Sequence, residues 1–166
     1  MSEALVLPGG WLLLGARRFR AALGRGLVRA GKQEGDGTTP AGVLPLRRVL
    51  YRADRGAIPH AAVPREPIAP TDGWCDDPAH PDYNRMVRLP HPAHAEALWR
   101  DDALYDCIGV LGWNDAPVLR GRGSAIFLHA ARPDFAPTAG CIALLPADLL
   151  AVLAAGVTAL RVTDRG

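Results

Sequence analysis

Glycine and proline punctuate this chain so often that few segments are long enough to form a helix. Gly24, Gly26, Gly31, Gly35 and Gly37 break up the N-terminal third. Helices tolerate that density poorly, because each interior glycine costs about 1 kcal/mol relative to alanine. Residues 56–93 are rich in proline, and neither a helical nor a strand period survives there. Aromatic residues and charges of both signs within that stretch point to an ordered binding wall rather than a linker.

Between the breaks lie short apolar runs: Ala4 to Leu7, Trp11 to Leu14, Arg18 to Leu23, Leu44 to Ala53, Asp106 to Trp113, Ser124 to Ala130, Cys141 to Leu145 and Val157 to Val162. Their length and their β-branched and aromatic content predict strands. Pro146 to Ala155 reads as the best helix. It has proline in its first turn, Leu149, Leu150 and Leu153 on one face, and Gly156 as a stop. Ala93 to Asp102 is a second, shorter helical candidate. The pattern predicts a mainly β fold with one or two short helices and a sandwich-like core. A chain of 166 residues fits one domain, 1–166, able to bury a real core.

A formal charge of +2 with no block of like charge argues against a nucleic-acid partner. Lys32 is the only lysine, and the other basic side chains are arginine, a bias that codon usage explains first. The run Trp11 to Leu14 is too short to cross a membrane, and no basic segment precedes a long apolar stretch. An export signal is therefore not legible. Cys75, Cys107 and Cys141 are widely spaced with no CxxC pair, so no disulfide framework is expected. Cys75 and His80, or His91 and His94, lack the tighter pairings of a zinc site, and prolines flank His91. No metal or other cofactor is expected.

The segment FLHAARPDFAPTAGCIAL (127–144) carries the chemistry. A histidine ends one apolar run, and a cysteine begins another after a proline-rich loop. A catalytic cysteine must become a thiolate, which needs a base or cation beside it. If the loop folds back, His129 and Cys141 face each other across strand ends. The N–H groups of Gly140 and Cys141 are then candidates for an oxyanion hole. A backbone carbonyl such as that of Ala130 can orient the imidazole. On spacing alone a cysteine in an apolar strand is more often plain core.

The chain resembles the L,D-transpeptidase catalytic-domain family of bacterial cell-wall enzymes. KQEGDGTTPAGVLPL (32–46) is similar to the family's lysine-to-Thr-Pro-x-Gly segment, and GRGSAIFLHAARPDFAPTAGCIAL (121–144) to its His to Gly-Cys block. With DGWCDDPAHPDYN between them, the likeness runs over residues 20–155. It implies a β-sandwich of mixed sheets, Cys141 as nucleophile, His129 as base and acid, and a main-chain carbonyl as third partner. The family's Ser/Thr and Gly positions fall on Thr138 and Gly140. Two departures stand out: the family's second histidine is here Ala139, and its arginine is here Ala143.

The implied substrates are peptidoglycan stem peptides, and carbapenem-type inhibitors are implied ligands. The implied reaction passes through a thioester to a cross-link. An L,D-carboxypeptidase that releases the same intermediate to water, or a catalytically weak wall-binding module, are the alternatives. Such chemistry belongs to the periplasm or envelope, in tension with the missing export signal. Arg122 is a candidate carboxylate clamp, and Trp74, Asp76, Asp77, Tyr83 and Asn84 are candidate groove residues. The structural alternative makes Trp74 a core plug and the aspartates turn caps. Cys107 reads as core.

Overall fold

The computed structural model describes residues 2–166. Fourteen strands and one helix follow one another as β1 (Ser2–Leu7), β2 (Trp11–Leu14), β3 (Arg17–Ala22), β4 (Val28–Arg29), β5 (Thr39–Pro40), β6 (Gly42–Tyr51), β7 (Arg65–Pro67), β8 (Asp72–Cys75), β9 (Met86–Arg88), β10 (Ala95–Ala97), β11 (Cys107–Leu111), β12 (Phe127–Ala130), β13 (Ile142–Leu144), α1 (Pro146–Ala154) and β14 (Val157–Val162). The fold is mainly β with mixed sheets, as expected.

The principal sheet runs β11-β12-β13-β3-β2-β1-β14-β6-β7, and a further β11–β6 pairing closes it on itself. The ten-residue β6 makes closure possible. It pairs with β14 through Gly42 to Pro45 and with β11 through Leu46 to Tyr51. Closure removes exposed edges, which are otherwise sites of unwanted pairing. A buried cluster including Ala4, Val6, Leu12, Leu44, Val49, Leu128, Ile142 and Leu144 forms the first core. Helix α1 packs against this core through Leu149, Val152 and Leu153. Leu150, predicted for the apolar face, is instead 47% exposed, and Val152 takes its place.

A three-stranded sheet, β10-β8-β9, comes from the proline-rich stretch and the segment after it. The segments DGWC, MVR and AEA carry no bounded apolar run, so the sequence did not reveal them. The helix expected over Ala93 to Asp102 does not form. Ala95, Glu96 and Ala97 instead pair antiparallel with Cys75, Trp74 and Gly73. A ten-residue helix is marginal by itself, and a ready strand edge wins over it.

This small sheet belongs to a second buried cluster of Leu50, Ile68, Trp74, Leu98, Tyr105, Ile108, Val110, Ala125, Phe127 and Cys141. Trp74 meets Phe127 edge-on with ring centroids 5.1 Å apart. Strands β11 and β12 are thus buried on both faces, which explains why they read as continuous apolar runs.

Candidate active site

Strand alternation brings the histidine and the cysteine to one face. In β12, Leu128 and Ala130 point into the first core, while Phe127 joins the second. Period two puts His129 on the Phe127 face. In the parallel neighbour, Ile142 and Leu144 point into the first core, which leaves Cys141 and Ala143 on the other face. The register sets Leu128 opposite Ile142 and His129 opposite Ala143. Cys141 therefore sits beside Phe127, diagonal to His129 rather than directly across from it.

The hydrogen bonds match this register. The Phe127 N–H donates to Cys141 Sγ at 3.4 Å, and the thiol donates to the Ala125 carbonyl at 3.2 Å. His129 Nδ1 donates to the Ala130 carbonyl at 2.9 Å, so Nε2 carries the lone pair. Tyr105 meets the imidazole edge-on with ring centroids 5.3 Å apart. Among the described residues, no hydrogen bond joins Sγ to His129.

Thr138 ties the loop down. Its Oγ1 donates to the Cys141 carbonyl at 2.7 Å and accepts the Gly140 N–H at 3.1 Å. The Gly140 amide, one of the two expected oxyanion donors, is thereby taken. Gly140 itself has φ +145°, and a Cβ there would lie 2.7 Å from the Thr38 carbonyl oxygen. Only glycine fits that close approach.

Burial dominates the electrostatics. It pushes the Cys141 thiol up to about 12, with the Glu96 carboxylate adding to the effect and the Phe127 N–H and Lys32 opposing it. It pushes the His129 pKa down, against the hydrogen bond to Ala130. Both groups are therefore neutral at rest: a thiol and an imidazole base. Glu96 is pushed up, again by burial, while accepting a short hydrogen bond from the Tyr105 hydroxyl.

His129, Thr138, Gly140 and Cys141 line one cleft of roughly 380 Å³, together with Ala130, Ala139 and Ala143. Of the predicted groove residues only Asp76 lines it, and Asp76 Oδ1 pairs with His94 Nδ1. Asp77 accepts the Ala79 N–H and caps a turn. Trp74 is buried and donates to Asn84 Oδ1. Tyr83 is buried and hydrogen-bonds Glu34. Arg122 is exposed and lies off the cleft.

The cleft also holds Lys32, Glu34, Glu96, Arg100, Tyr105, Ser124 and Arg132, none of them named as a candidate site residue from the sequence. The one available signal was Lys32, a lone lysine among arginines. Glu96 and Tyr105 were hidden because their segment reads as a helix and a loop.

The suggested metal pairings do not converge. Cys75 is fully buried, and His94 is engaged by Asp76. His80, Asp82 and His91 do approach one another within 4.8 Å. There the Asp82 N–H donates to His80 Nδ1 at 3.0 Å, the Ala93 N–H donates to His91 Nδ1 at 3.1 Å, and His91 Nε2 meets Asp82 at 3.0 Å. Those contacts describe a histidine–carboxylate pair that braces the loop.

A closed mixed sheet thus presents a cysteine and an oriented histidine to one cleft. The sequence profile of the L,D-transpeptidase catalytic domain matches residues 5–159, and the chain belongs to that family. Proteins of this family act on peptidoglycan peptides. No curated protein matches the chain significantly. Among the described residues no helix is long and apolar enough to cross a membrane.

Proposed function

We propose that the chain performs cysteine-dependent acyl transfer on peptidoglycan stem peptides, with Cys141 as nucleophile and His129 as general base and acid. The observation that carries this reading is the shared cleft. His129, fixed by Ala130, offers a free Nε2 to the same space that Cys141 lines. In the resting rotamer Sγ is held by Ala125. Rotation about Cα–Cβ frees it toward Nε2, which takes the proton.

The thiolate attacks the carbonyl after the L-centre of the diaminopimelate residue, and His129 returns the proton to the departing D-alanine. The amine of a second stem then resolves the thioester. With the Gly140 amide engaged by Thr138, the Cys141 N–H is the remaining expected backbone donor to the oxyanion. Intact-mass measurement tests the assignment: a carbapenem should acylate the wild type and leave Cys141→Ala unmodified. Equal labelling of both removes it.

One observation favours hydrolysis as a second reading. A cleft of roughly 380 Å³ is near the small end for ligand sites and suits one short peptide better than donor and acceptor together. Incubation with a tetrapeptide stem, with and without an amine acceptor, separates the two outcomes by product mass.

A further inference from the structure

Lys32 is the only lysine of the chain, and it is 3% exposed. Its ammonium lines the cleft beside Cys141. Among the described residues its one hydrogen-bond acceptor is Asp36 Oδ1, at 3.0 Å. An ammonium carries three donors, so two have no protein acceptor among the described residues. Asp36 is fixed in turn by the Gln33 N–H at 2.8 Å, the Thr38 N–H at 2.9 Å and the Thr38 hydroxyl at 2.8 Å. Burial raises its pKa, yet these bonds outweigh burial and hold the carboxyl well below the usual range.

Two glycines clear the path of the lysine. A Cβ at Gly123 would lie 2.9 Å from Lys32 Cε, and one at Gly140 would lie 3.2 Å from Nζ. Both glycines have positive φ. The chain thus keeps a slot through which a buried cation reaches the backbone next to the thiol. It does so where the Gly140 N–H is already taken by Thr138.

We propose that Lys32 is a further catalytic residue: its ammonium favours the Cys141 thiolate and donates to the substrate carbonyl oxygen as that oxygen becomes anionic. This rests on acyl transfer at Cys141. In the first step the thiol proton passes to His129 Nε2 and the C–S bond forms. The carbonyl π pair moves onto oxygen, against the Lys32 N–H. Collapse restores the carbonyl and breaks the C–N bond, and the nitrogen leaves with the proton from His129. Lys32 keeps its own protons throughout.

The surrounding charges are mixed. Glu34 comes from the loop of Lys32 itself, as does Asp36, which pairs with Lys32 behind the cleft lining; Asp76 and Glu96 come from the small sheet and the chain just beyond β8, and Arg100 and Arg132 from loops, with Tyr105 and His129 completing the wall. The acidic groups oppose a thiolate, and Lys32 is the buried cation that offsets them.

The test compares wild type, Lys32→Gln and Lys32→Arg in two assays. The first is the pH profile of iodoacetamide alkylation at Cys141, located by peptide mass. Lys32→Gln should move the midpoint up by about one unit, and Lys32→Arg should stay near wild type. The second is acylation by a carbapenem, which Lys32→Gln should slow roughly 100-fold. An unchanged midpoint in a folded Lys32→Gln protein overturns the proposal, as does an unchanged acylation rate.

Should Lys32→Gln not fold, the wild type alone decides. Iodoacetate should gain on iodoacetamide at Cys141 by several-fold relative to free cysteine, roughly what one adjacent cation does to an anionic reagent. A ratio equal to that of free cysteine overturns the proposal. A wild type that is never acylated sinks acyl transfer, and with it the role of Lys32 toward the carbonyl oxygen. Alkylation needs no substrate, so its midpoint still scores the charge effect separately.

Discussion

The Cys141 thiol is held by the carbonyl of Ala125, at 3.2 Å, and not by the imidazole of His129. Ala125 has φ +53°, a conformation that a residue with a Cβ adopts only when its surroundings enforce it. Asn84 does the enforcing. Its Oδ1 accepts the Ala125 N–H at 3.1 Å and the Trp74 indole N–H at 2.9 Å. Its Nδ2 donates to the carbonyls of Trp113 and Asn114. The resting position of the Cys141 thiol is thus set by a buried amide in a distant loop.

Asn84→Ala removes four hydrogen bonds in a buried place. The expected loss of stability is about 3 kcal/mol, from buried groups left without partners. Urea unfolding followed by circular dichroism measures it. A change under about 0.5 kcal/mol would contradict the bonding described.

Cys141→Ala should abolish acyl-enzyme formation while changing stability by about 1 kcal/mol or less, since the alanine keeps most of the packing. Cys107→Ala is the matched comparison. Its thiol is also buried, and burial pushes it up to about 12, yet it faces the first core. Acylation should survive there, as intact mass will show.

The buried imidazole gives a pH dependence of known sign. The His129 pKa lies below the ordinary 6.5, through desolvation. Between the folded and unfolded values the unfolded chain binds more protons, so stability rises with pH across that window. This contribution is complete above about 6.5 and is lost as the pH falls through the folded value. Unfolding midpoints measured downward from pH 7 should therefore decline, and His129→Gln should flatten the decline. NMR titration of the ring should give a midpoint below that of a free histidine.

Gly140→Ala should not be tolerated. The added Cβ would meet the Thr38 carbonyl oxygen at 2.7 Å, in a backbone conformation with φ +145°. A loss of more than about 2 kcal/mol is expected, together with loss of acylation. Gly31→Ala provides the contrast. A Cβ there meets nothing within 4 Å, although φ is also positive, so only the conformational cost applies. Thermal melts of both variants separate the clash from the backbone strain.

How far the sequence could be read follows from range. Strands β2 and β14 were visible at their observed limits, because each is a local apolar run bounded by turn residues. That His129 ends one apolar run and Cys141 begins the next was legible, because both runs are contiguous. The role of Ala130 as carbonyl acceptor was also legible, since it depends on the adjacent residue. Arg122 and Trp74 misled because charge and aromaticity in a loop do not say which way the side chain turns. Glu96 was missed because three residues of strand carry no period and their pairing partner lies some twenty positions upstream.

The sequence by itself determined the strand-rich class, the short helix, the family, and the strand ends at which the histidine and cysteine stand. All of these arise from local pattern or from contiguous motifs. Only the tertiary structure decided that β6 closes the sheet and that a small second sheet buries Phe127. It alone brought Lys32 and Glu96 to the cleft, and it alone left the thiol bonded to a carbonyl instead of to a base. The physical reason is that such contacts join residues far apart in the chain. Their free energy depends on burial and on competing partners that no single segment contains.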